Sequence, residues 1–171
     1  MKKRTATNMI ILHCSATREG QDFTVDDIRK WHKQRGFEDV GYHFIIYRDG
    51  TVVKGREESL QGAHCTGKNA TSIGICYIGG CDKNMKAKDT RTEAQKQAMY
   101  KLVKDLMQKY HIPLVDVHGH YEYANKACPS FKIDVFRSEF STWLAGDTIK
   151  KVKCPHCGKE IQLDKSILDN L

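Results

Sequence analysis

Apolar residues in this chain come in runs of at most four, as in Met9-Ile10-Ile11-Leu12 and Phe44-Ile45-Ile46-Tyr47. These runs alternate with stretches whose apolar residues recur every three or four positions, the spacing of one helix face. Short buried strands interleaved with amphipathic helices predict an α/β fold. A bilayer-crossing helix needs about 20 apolar residues, so no membrane span is expected. With 171 residues, 40% of them hydrophobic and 29% charged, the chain is long enough for one ordinary domain with a short appendage.

Local signals mark the elements. Asn8 to Leu12 fits a buried strand with His13 at its carboxyl end. Thr24, followed three residues later by Asp27, opens a helix that Gly36 closes, with Val25, Ile28 and Trp31 on one face. Arg48-Asp49-Gly50 between Tyr42–Tyr47 and Thr51–Lys54 predicts a β-hairpin, because the glycine supplies a positive φ. Ser72 to Ile78 is a further strand. Thr92 and Gln95 form a second capping box, opening a helix to Tyr110 with a stripe of Met99, Leu102, Val103, Leu106 and Tyr110. Val115 to Val117 reads as a short strand and Ile133 to Leu144 as a last helix. The expected architecture is a mixed central sheet flanked by about three helices over residues 1–145. A linker and a small Cys-x-x-Cys tail follow over 146–171.

The formal net charge is +7, which suits an anionic partner. No block of five or six basic residues and no basic run interleaved with aromatics occurs, so no motif supports nucleic-acid binding. Met1-Lys2-Lys3-Arg4 is followed by too short an apolar stretch for a secretory signal, and synthesis in the cytoplasm is expected. Seven scattered cysteines in a reducing compartment read as thiols or metal ligands before bridges.

The chemistry concentrates in the loop from His118 to Pro129, which holds His118, His120, Glu122, Lys126 and Cys128; His13-Cys14 offers a further ligand. A zinc ion that does chemistry takes three protein ligands from His, Cys, Asp or Glu and keeps a fourth position open. The same residues also suit a core histidine and a small buried thiol, and spacing alone does not choose between the two readings.

Four motifs occur in order: His13-Cys14-Ser15-Ala16-Thr17, Gly41-Tyr42-His43-Phe44-Ile45-Ile46 with Arg48-Asp49-Gly50-Thr51, Ser72-Ile73-Gly74-Ile75-Cys76, and Lys126-Ala127-Cys128-Pro129-Ser130-Phe131. Together they resemble the zinc-dependent type 2 N-acetylmuramoyl-L-alanine amidases, above all the phage amidase-type lysozymes, whose relatives include the peptidoglycan recognition proteins. The resemblance covers roughly the first 145 residues. It implies the amidase fold and one catalytic zinc on His13, His120 and Cys128. Tyr42 and Lys126 would assist hydrolysis of the amide between N-acetylmuramic acid and L-alanine. It places Arg56 against a stem-peptide carboxylate; His64 is read as lining the groove and His43 as structural. An endolysin of this kind would reach peptidoglycan after release from the cell. The resemblance carries two other readings: a non-catalytic peptidoglycan receptor, and a regulator that binds a phage RNA polymerase.

The tail carries Cys154-Pro155-His156-Cys157-Gly158. Cys154 and Cys157 form half of a zinc knuckle. The site would be completed by another chain, or the motif is a relic without metal.

Overall fold

The computed structural model describes residues 1–147, 149–153 and 159–164. The chain folds as two compact units, Met1–Ile133 and Asp134–Leu171.

In the first unit, β1 (Met9–Cys14) is an inner strand of the five-stranded main sheet. After the two-residue strand β2 (Thr17–Arg18) comes α1 (Val25–Gln34), followed by the hairpin strands β3 (Phe44–Ile46) and β4 (Val52–Lys54). Next are β5 (Ser72–Tyr77), the short β6 (Gly80–Cys81) that pairs with β2, α2 (Glu93–Tyr110) and β7 (Val117–Gly119). The sheet order is β4-β3-β5-β1-β7, with only the β3–β4 pair antiparallel. Strands that run the same way need crossover connections: α1 carries the chain from β1 to β3 across β5, and α2 from β5 to β7 across β1. Burial on both faces makes their strands continuously apolar: Ile10, Ile11 and Leu12 on β1 and Ile73 and Ile75 on β5 are fully buried.

Both capping boxes form as expected. Thr24 N–H donates to Asp27 Oδ2 at 2.7 Å and Asp27 N–H to Thr24 Oγ1 at 3.3 Å. The Thr92–Gln95 pair makes the same reciprocal bonds at 3.0 Å each. Gly50 takes φ +88° in the hairpin and Gly36 φ +84° just beyond α1. Ile28 of α1 packs with Val40, Ile45, Cys76 and Ile78, while Trp31 and Tyr42 flank that cluster.

Three details differ from the sequence reading. On α2 the buried residues are Gln95, Met99, Tyr100, Val103 and Leu106, and Leu102 and Tyr110 are only half-buried. The face is rotated because the Gln95 amide donates to Ile46 O at 3.2 Å and Ile78 O at 3.0 Å, anchoring the helix start over the strand ends. Leu114–Asp116 forms a 3₁₀ turn with Val115 exposed, so β7 begins at Val117. Tyr42 and His43 precede β3 instead of lying within it.

The second unit begins one residue into α3 (Ile133–Asp147), which extends the expected helix by about one turn and stacks Phe136 and Phe140 at 5.9 Å. The strands β8 (Ile149–Lys153) and β9 (Glu160–Asp164) pair antiparallel. Cys154 and Cys157 lie outside the described residues. Among the described residues, no helix is long and apolar enough to cross a membrane.

Candidate metal centre and active site

Open parallel sheets present ligand sites beyond the carboxyl ends of their strands. Strands β1 and β7 run side by side with Leu12 opposite Gly119, so the next residues, His13 and His120, emerge at the same level. Their rings lie 4.5 Å apart. The loop after β7 returns Cys128 to this point: Tyr121 N–H donates to Cys128 O at 2.8 Å, and Cys14 N–H donates to Cys128 Sγ at 3.3 Å.

The donor atoms of His13, His120 and Cys128 all lie within 4.8 Å of one another. His13 presents Nδ1 to Cys128 Sγ at 3.6 Å. Two ligands on one tetrahedral zinc stand about 3.5 Å apart, given metal–ligand bonds of about 2.1–2.3 Å. The His13–Cys128 pair stands at that spacing, and with His120 inside the same 4.8 Å the two imidazoles and the thiol could hold a zinc with one tetrahedral position open.

Electrostatics supports that reading. Burial, and then the neighbouring imidazoles, push His13 well below the usual histidine range. Burial and then the Lys126 ammonium lower His120. Both rings are held neutral, the form that binds metal. The hydrogen-bonded Cys14 thiol and burial push Cys128 above the usual thiol range, so its thiolate calls for a cation here.

Tyr42 and Lys126 both face this centre. They line a cleft of about 150 Å³ with Cys14, Arg35, His120 and Cys128. A groove of about 390 Å³, bounded by Phe37, Asn69 and Tyr123, also reaches His120 and Lys126. Lys126 further borders a depression formed by Tyr121 and Phe131, so three hollows meet at its side chain. Tyr42 stands 5.1 Å from His13, ring to ring, and burial raises its hydroxyl well above the usual tyrosine range.

Other candidates fall elsewhere. His118 bonds Glu122 Oε2 through Nδ1 at 2.9 Å and is not part of the cluster. His43 is fully buried; its Nδ1 accepts from Gly74 N–H at 2.9 Å and its Nε2 bonds Leu60 O at 3.0 Å, a structural tie. Arg56 is held by main chain and also lines a hollow beside Phe37 and Glu38. Its guanidinium donates to Val40 O at 2.9 Å, Gln61 O at 2.8 Å and Asp39 O at 3.4 Å, so it clamps main chain. His64 borders the groove, but its ring is buried and its Nδ1 stands 3.0 Å from His13 Nε2. The sequence reading missed that contact. A glycine inside a buried strand, Gly74, was the available signal, since it marks a close approach.

A family model described as N-acetylmuramoyl-L-alanine amidase matches residues 3–131. The endolysin of Escherichia phage T7 is 47% identical over 132 residues, covering 77% of this chain and 86% of its own. Peptidoglycan-recognition protein SC2 of Drosophila melanogaster is 33% identical over 121 residues, 70% of this chain and 61% of its own. Among solved structures, the N-acetylmuramoyl-L-alanine amidase LysC of Clostridium intestinale superposes with a TM-score of 0.67 at 32% identity, over 79% of this chain and 85% of that one. Sequence motifs, sheet topology and the clustered histidines and cysteine agree with these matches: the chain belongs to the N-acetylmuramoyl-L-alanine amidase family.

Proposed function

We propose that the protein is a zinc-dependent bacteriolytic amidase that cleaves the bond between the lactyl group of N-acetylmuramic acid and the L-alanine of the stem peptide. The observation that carries this reading is the convergence of three zinc-type donors within 4.8 Å at the strand ends, facing a cleft lined by Tyr42 and Lys126. A bound zinc supplies acidification of a water and polarisation of the substrate carbonyl.

The chain's own residues do the rest. His13 and His120 are held neutral by burial, and Cys14 N–H orients the Cys128 sulfur. Lys126 meets the negative charge that develops on the lactyl oxygen as the carbonyl is attacked. Tyr42 keeps its proton, its hydroxyl bonded to the Cys76 thiol in the free protein; turned toward bound substrate, that hydroxyl would donate a hydrogen bond to the departing amine. The hollows meeting at Lys126 would hold peptidoglycan or its fragments. Peptidoglycan recognition proteins with the same fold have been solved with tracheal cytotoxin bound.

The test is metal analysis combined with hydrolysis of a soluble muropeptide by native, chelator-treated and zinc-restored protein. One zinc per chain and loss and return of activity are expected, with a free lactyl carboxylate and a free alanine amine as products. Undiminished hydrolysis after complete metal removal would overturn the reading.

A further inference from the structure

The structure assigns His64 as the positioning residue that selects the tautomer of His13, through a relay running from Lys68 O through Ser72 and His64 to the face that His13 turns toward Cys128. This rests on His13 being a metal ligand, as argued above.

The relay follows from counting donors and acceptors. Ser72 Oγ donates to Lys68 O at 2.8 Å. Its hydrogen is thereby used, so toward His64 Nε2, at 3.4 Å, the serine oxygen can only accept. His64 then carries its hydrogen on Nε2 and leaves Nδ1 as an acceptor. That Nδ1 faces His13 Nε2 at 3.0 Å, and two neutral imidazoles can bond only if one donates. His13 must donate from Nε2, which leaves a lone pair on Nδ1, 3.6 Å from Cys128 Sγ. The reverse tautomer would aim a hydrogen at the metal position. A ligating histidine whose second nitrogen donates to a fixed acceptor is the arrangement that orients the ring and sustains affinity.

The fold builds a slot for this ring. A Cβ on Gly62 would lie 2.3 Å from the His64 ring and one on Gly74 2.6 Å from it, so only glycine permits the approach at either place. Asn69 Oδ1 accepts from the N–H groups of His64 and Cys65 at 2.9 Å each, holding the segment. Ser72 is fully buried, which shields the relay's first step from solvent.

The first test is long-range ¹H–¹⁵N correlation of the histidine rings in the metal-free full chain near neutral pH. His13 and His64 should both carry hydrogen on Nε2 with a bare Nδ1. A hydrogen on His13 Nδ1 would overturn the assignment, and this reading needs no variant and no bound metal. The second is the zinc Kd by chelator competition. His64→Leu should weaken zinc by about 10–100-fold, and His64→Asn, whose amide oxygen can accept from His13, should restore most of it. Unchanged affinity in His64→Leu, or an asparagine no better than leucine, would mean that the ring only packs. If wild-type protein bound no zinc, the metal assignment would fall while the tautomer measurement still judged the relay.

Discussion

The backbone N–H of Cys14 donates to Cys128 Sγ at 3.3 Å, so the residue after one metal-type ligand orients another that lies 114 positions away. An N–H aimed at sulfur favours the thiolate and sets its direction. The last residue of β1 thus couples the strand end to the return loop, and the donor set is organised by main chain.

Cys128→Ser should lose zinc and hydrolysis together, because a serine hydroxyl keeps its proton where the thiol would release one. Muropeptide binding should survive at least in part, since other residues line the groove. Metal analysis and a binding assay on the same preparation separate the two effects. A near wild-type rate in zinc-containing buffer would remove Cys128 from the ligand set.

Lys126→Ala should lower kcat by about 100-fold with little change in KM, since its ammonium meets charge that exists only after attack on the carbonyl. Lys126→Arg should recover little, because a wide planar fork does not replace a compact point charge. Steady-state kinetics with zinc content checked for each variant decides this. A change confined to KM would make Lys126 a substrate-binding residue.

Arg56→Met should cost stability on the order of 2 kcal/mol, because it strips hydrogen bonds from the carbonyls of Val40, Gln61 and Asp39. Denaturant titration measures the loss, and KM of the folded protein should hardly change. A raised KM with unchanged stability would point to the substrate contact expected from the resemblance.

Acid should destabilise the fold before its carboxylates titrate. Burial depresses His32 and His43 from the ordinary 6.5 to about 4, so the unfolded chain takes up protons in that window and the native state does not. Stability is full above about pH 6.5 and falls as the pH drops toward 4. Urea midpoints at pH 7, 6 and 5 should decline steadily, and His43→Asn should flatten the slope. A midpoint independent of pH across that range would contradict the burial of these rings.

What could be read from the sequence alone was set by neighbours in the chain. The Thr24–Asp27 and Thr92–Gln95 caps and the Asp49-Gly50 turn involve contacts three or four residues apart, so the side chains that make them are adjacent in the sequence. The apolar strand runs follow from burial on both faces of a parallel sheet. The family resemblance carried by the ordered motifs implies His13, His120 and Cys128, which spacing alone does not select. Tertiary structure decided what depends on residues far apart in the chain. Three carbonyls claim the Arg56 guanidinium, Gln95 turns the α2 face by reaching two strand ends, and His64 closes on His13 from 51 positions away. Each of these outcomes is a competition among partners brought together only by strand register, and a side chain's own identity says what bonds it can make but not which partner will be within 3 Å.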